Sequence, residues 1–177
     1  MPTLFLLSFK AEFDGIASLG LKPGCELCIS VKNPLSDYEV REKVTVNTSE
    51  YLEQDDNSRE KPHHFRVKWE GSKKYSTITV LTLSETKAAL KKLKKRNVTC
   101  TGKVETSGEF VPICGLECRG VEPYEFHALD DQFVIEYESG QSYDEDIDLS
   151  EGDWAGYDEE SGEGVSIEEF EATFVSP

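Results

Sequence analysis

The sequence predicts a mainly β protein with one short basic helix. Hydrophobic residues recur at every second position in segment after segment, and only one stretch carries helical signals. At 177 residues the chain is long enough to bury a core and short enough to form a single domain over residues 1–177.

The alternation begins at once. Phe5, Leu7, Phe9, Ala11 and Phe13 fall on one side of an extended segment, with Ser8, Lys10 and Glu12 on the other. No basic segment precedes this apolar run, which stops at Lys10, so it reads as a strand and not as a secretory signal. The expected compartment is the cytoplasm, with the nucleus as the alternative. Phe65, Val67 and Trp69 alternate with His64, Arg66 and Lys68; residues 76–83 are rich in β-branched side chains; Phe133, Ile135 and Tyr137 alternate with Glu136 and Glu138; Phe170, Ala172 and Phe174 close the series. Residues 40–46 and 110–116 are weaker strand candidates. The helix is expected from residue 84, with Ser84 as N-cap, Glu85 in the first turn and Lys91, Lys92, Lys94 and Lys95 toward the end, all favourable to the helix dipole. Residues 47–62 and 139–164 have no period and read as long polar loops.

Charge divides the chain. Residues 1–100 carry 17 basic against 13 acidic side chains, residues 101–177 carry 2 against 22, and the net charge is −16. Nucleic-acid binding relies on a basic surface that displaces counterions, so no nucleic-acid partner is expected. No apolar stretch approaches the ~20 residues of a membrane helix, and no membrane partner is expected either. The acidic run 144–148 fails as a calcium loop, because Leu149 and Ala155 stand where glycine and glutamate are required. Trp154 and Tyr157, flanked by carboxylates, are candidate anchors for a protein partner with a basic surface, or else pack an acidic loop onto a sheet.

Five cysteines stand without a disulfide framework. Cys25 and Cys28 form the one CxxC, but Ile29-Ser30-Val31 follows and the context is a strand. There, residues three apart lie roughly 10 Å from each other on opposite faces, too far for two thiolates on one metal at ~2.3 Å. The pair reads as structural, with a zinc or redox site as the alternative. Cys100, Cys114 and Cys118 read as small buried hydrophobes. His63, His64 and His127 supply no convergent set, and no nucleophile–base signature appears, so no enzyme is expected.

The C-terminal third carries the most specific pattern. Gly115-Leu-Glu117-Cys118-Arg119-Gly120-Val-Glu122-Pro123 is followed by Asp153-Trp154-Ala-Gly-Tyr157-Asp158-Glu159, then by Val165, Ile167 and Phe174. With the opening strand running into residues 15–19, this resembles the eukaryotic CXXC-motif-containing zinc-binding protein family. The resemblance implies a barrel-like or sandwich architecture of two packed β halves and a structural zinc held by four thiolates from two CxxC pairs. Alignment with that pattern puts the first pair at Lys32 and Leu35 and the second at Trp69 and Ser72, none of them a thiolate. The expectation is therefore a family member without zinc or another cofactor. Two adjacent hairpin turns, set by Pro34 and Gly71, would have Leu35 and Trp69 packed where the metal would sit. The expected function is a non-catalytic binding or adaptor protein. The alternatives are a zinc binder using Cys25 and Cys28 with other Cys or His residues, and a thiol redox protein at the same pair.

Overall fold

The computed structural model describes residues 2–36, 38–54 and 61–177. In chain order the elements are β1 (Thr3–Asp14), β2 (Ile16–Leu21), β3 (Glu26–Lys32), β4 (Val40–Asn47), β5 (Phe65–Val67), β6 (Ser76–Val80), α1 (Leu83–Lys92), β7 (Lys103–Val104), β8 (Val111–Arg119), β9 (Glu122–His127), β10 (Phe133–Tyr137), β11 (Ser142–Tyr143), β12 (Trp154–Asp158) and β13 (Glu163–Val175). The mainly β fold with one helix is borne out.

Three sheets share one core. The largest has six strands in the order β12-β13-β1-β8-β6-β5, beside a four-stranded sheet β11-β10-β2-β7 and a three-stranded sheet β4-β3-β9. The β1 strand is interior because its sequence is apolar on both sides and free of glycine and proline, so it can pair along both edges, with β13 and with β8. Leu7, Phe9 and Ala11 turn toward the main core, where Leu19, Ile29, Phe133 and Ile167 meet them. The opposite face is less polar than alternation predicts. Leu4 and Leu6 are buried in a second cluster with Leu81, Leu90 and Cys100 beneath α1.

Four local expectations need correction. The N-cap of α1 is Thr82, not Ser84: the Thr82 hydroxyl accepts from the Glu85 N–H at 3.2 Å while the Glu85 carboxylate accepts from the Thr82 N–H at 3.0 Å, a capping box. That box ends the 76–83 strand early: β6 stops at Val80, Thr82 is the cap and Leu83 the first helical residue. Trp69 lies beyond β5, in a turn rather than on a strand. Residues 139–164 are not all loop, because residues 154–158 pair with β13, Trp154 opposite Ile167. Within this strand a Cβ at Gly156 would collide with the Trp154 ring, so glycine lets the indole lie flat on the strand. Residues 55–60 of the expected 47–62 loop lie outside the described residues. No described helix is long and apolar enough to cross a membrane.

The capping assignment is directly testable. Thr82→Ala should cost ~1 kcal/mol of stability in denaturant unfolding, and Ser84→Ala only a few tenths; the reverse order would restore Ser84 as the cap.

Candidate functional site

Two tight turns stand side by side at the end of β3 and after β5. In the first, Ser36 N–H donates to the Asn33 carbonyl at 3.1 Å and the Asn33 side-chain oxygen accepts from Leu35 N–H at 3.0 Å, with Pro34 between them. In the second, Ser72 N–H donates to the Trp69 carbonyl at 3.0 Å, and Gly71 takes the left-handed conformation at φ +77°. One carboxylate joins them. Glu39 Oε1 accepts from Asn33 Nδ2 at 3.1 Å, and Glu39 Oε2 accepts from Glu70 N–H at 3.0 Å. The adjacent hairpin turns expected from Pro34 and Gly71 are present, and Glu39 is the group that the sequence reading missed.

The four positions aligned with the family's thiolates behave differently from one another. Lys32 ends β3 half-exposed and faces Glu122 at 3.9 Å. Leu35, expected to pack inward, is 94% exposed, because the Asn33 side chain turns the backbone so that Leu35 sits at the tip. Trp69 is 4% exposed: its Nε1–H donates to the Gly120 carbonyl at 2.7 Å and the Arg41 guanidinium lies 5.3 Å from the ring centroid. Ser72 donates its hydroxyl hydrogen to the Lys74 carbonyl at 3.0 Å. An ammonium, an isobutyl group, a donating indole and a donating hydroxyl are not a zinc donor set, so these four residues do not fit the metal.

The Glu117–Pro123 motif folds against the same turns. Cys118 is buried in the core and burial pushes its thiol well up, helped by Glu122 and Glu117. Arg119 ends β8, Gly120 makes the left-handed link at φ +71°, and Pro123 pairs opposite Val31 in β9. Lys32 with Glu122 and Trp69 with Gly120 therefore bind motif and turns together. The second motif lies elsewhere: β12 is the opposite edge of the six-stranded sheet from β5. There Asp153 accepts from Glu169 N–H at 3.3 Å, Trp154 lies 5.8 Å from Tyr143, and Tyr157 is 59% exposed. Asp158 is buried, and its carboxyl is held below the usual range by the Ser139 hydroxyl beside it and then, against the cost of burial, by the Glu160 N–H at 3.0 Å.

Cys25 and Cys28 do not converge. Cys25 precedes β3 and lines an apolar cavity of about 530 Å³ with Cys114, while Cys28, inside β3, borders a different one near His127. Burial is the main cause that raises the Cys25 thiol to about 11 and the Cys114 thiol to about 12. Among the described residues no group of three or more His, Cys, Asp or Glu is placed to hold a metal ion. The fold also assembles a Ser–His–acid series that no local spacing could reveal, Ser30 being 97 residues from His127 in sequence. Ser30 Oγ is 2.8 Å from His127 Nε2, and His127 Nδ1 is 3.9 Å from Glu125. Ser30 is only 1% exposed, borders none of the cavities described above, and its hydroxyl accepts Lys43 N–H at 3.1 Å. A substrate cannot reach it, and the series pins the irregularity at which β3 changes register with β4 and β9.

Comparison with known proteins agrees with this architecture. The profile of the family described as CXXC motif containing zinc binding protein, eukaryotic, matches residues 6–175. The UPF0587 protein CG4646 of Drosophila melanogaster is 42% identical over 71 residues, 40% of this chain and 43% of that protein. The CXXC motif containing zinc binding protein of Homo sapiens is 39% identical over 71 residues, 40% of this chain and 44% of that one. The matched stretch thus spans less than half the length of these curated relatives. The fold is shared along nearly the whole chain with a hypothetical protein from Plasmodium falciparum, at a TM-score of 0.77 and 24% identity, covering 97% of this chain and 99% of that one. The crystal structure of C1orf123 agrees equally well, with a TM-score of 0.77, 23% identity, and coverage of 98% and 99%. With a family profile that runs from one end of the main sheet's central strand to the end of β13, this chain belongs to the eukaryotic CXXC motif containing zinc binding protein family.

Proposed function

We propose that this chain is a non-catalytic binding protein whose paired turns hold their places without zinc. The observation that carries the reading is the Glu39 carboxylate bridging Asn33 and Glu70, with Trp69 closing the gap onto Gly120. Two hydrogen bonds to a carboxylate and one buried indole do locally what a shared metal does in a tetrathiolate site: they keep two turns from separating. A domain with its own large core needs only part of the ~10–16 kcal/mol that zinc supplies in small metal-dependent peptides. The partner is a protein with a basic surface, met by the acidic C-terminal segments, where Tyr157 is exposed near the exposed Glu159 and Glu160. Such a protein would work in the cytoplasm or nucleus.

The thiols speak against the redox alternative. A thiol raised to about 11, as at Cys25, is ionised to roughly one part in ten thousand at neutral pH. Its partner in the motif, Cys28, lies on another cavity.

Three measurements test this reading. Elemental analysis of tag-free, dialysed protein should find no stoichiometric zinc, and a chelator should leave Tm unchanged; a stoichiometric metal or a chelator-sensitive Tm sinks the proposal. Glu39→Ala should destabilise by ~0.5–1.5 kcal/mol through the loss of its two hydrogen bonds, and Trp69→Phe by ~1 kcal/mol or more through the lost Gly120 bond; wild-type stability in both would remove the bridge as the holding element. Alkylation of native Cys25 near pH 7 should run about a hundredfold slower than that of an ordinary thiol. Rapid modification there would instead favour the redox reading.

A further inference from the structure

A cleft of about 610 Å³ opens beside the second turn, on the outer face of the large sheet. Its floor is set by strand register. Thr77 and Thr79 of β6 stand opposite Arg119 and Glu117 of β8, and on its other side Thr77 faces Arg66 of β5, so a guanidinium flanks that threonine in each direction along the row. Lys61 and Lys74 line the cleft, and so does Tyr75, whose ring is overlaid by Arg66 at 4.9 Å and Lys68 at 5.5 Å. Residues 61–80 carry five basic side chains and a single acidic one, in a protein of net charge −16. Among the described residues, the ion pairs take up Lys10, Lys32, Lys103 and His127, and none includes Lys61, Lys74 or Arg119.

Two further observations mark the cleft as a built site. His63 borders it, is only 2% exposed, and its Nε2 has no hydrogen-bond partner among the described residues, a cost that a structural histidine normally avoids. Gly120 forms part of the wall, and a Cβ there would fall 2.5 Å from Ser76 Oγ; the absent side chain leaves that hydroxyl its place at the cleft. Cations and hydroxyl donors together suit phosphoryl oxygens, with the fork of an arginine as the strongest single contributor. Among the described residues Glu117 is the one carboxylate in the lining, which a bare anion would avoid and a ligand hydroxyl would use as an acceptor.

We propose that this cleft binds a phosphate monoester of a hydroxyl-bearing small molecule. Arg119, Lys74 and Lys61 receive the phosphoryl oxygens, Ser76 and Thr77 donate to them, and Glu117 accepts from the ligand's hydroxyls. Ser72, one of the four positions aligned with the family's thiolates, also borders the cleft, but none of the groups assigned to the ligand is one of those four.

Titrations of the isotope-labelled full chain, followed by NMR, with inorganic phosphate, glycerophosphate and glycerol test the assignment. Glycerophosphate should give saturable shifts at the Ser76, Thr77 and Arg119 amides and bind about threefold or more tighter than phosphate, while glycerol should give none. Arg119→Gln should weaken glycerophosphate by about tenfold, Lys74→Gln by less, and Glu117→Gln should weaken glycerophosphate without weakening phosphate. Lys91→Gln, on the far side of α1's basic face, should change nothing. Absence of saturable shifts at the cleft, indifference to Arg119→Gln in a variant whose spectrum shows the native fold, or glycerophosphate binding no better than phosphate would each overturn the proposal.

Discussion

One aromatic ring holds the three sheets in register with one another. Phe9, fully buried in β1, lies 5.3 Å from Phe126 of β9, 6.0 Å from Phe133 of β10 and 5.0 Å from Phe170 of β13, so a single side chain touches an element of every sheet. Tilted and edge-to-face contacts of this kind add ~0.5–1.5 kcal/mol per pair beyond the area they bury. Around that centre the basic and acidic parts of the sequence interleave rather than face each other: β1 pairs with β8 and β13, β2 with β10, and β3 with β9. The charge division of the sequence therefore survives only at the surface, where β5, β6 and α1 form a cationic side and β12 with the tips around it an anionic one.

The paired turns depend on this frame. Each leaves a strand that packs on the shared core, so Glu39 has only to fix the last separation between two chain segments already brought close. On the proposed reading, that is why a few hydrogen bonds suffice there. The Glu117–Pro123 motif belongs to the same corner: its glycine carbonyl receives Trp69, its Glu122 meets Lys32, and its arginine floors the cleft. Turn pair, motif and cleft form one continuous surface, and residues far apart in sequence contribute to each.

Much of the framework was legible in the sequence, because β1, β10 and β13 alternate strongly and nothing local competes with that pattern. The Thr82 cap was legible as well, since Thr82 and Glu85 have capping-box spacing, although Ser84 offers a second capping hydroxyl two residues later. The β12 strand was hidden by its own composition, with a glycine under a tryptophan and carboxylates on every side. Leu35 was misplaced because hydrophobicity argues for burial, whereas the Asn33 turn fixes direction and leaves no apolar surface to receive it. Glu39 and the Ser30–His127 contact could not be read at all: what matters there is where a bulge or turn delivers one side chain, and no periodicity encodes that.

The pairing of β1 with β13 has a consequence for how the chain reaches this structure. Leu7 sits opposite Phe174, so this strongly apolar strand acquires its β13 neighbour only after more than 150 further residues have been made. Until then Leu4, Leu6, Leu7 and Phe9 belong to a strand with an open edge and uncovered faces, a template for pairing with other nascent chains. Completion of the fold thus waits for β13, and β1 is the segment for which a holding chaperone would compete.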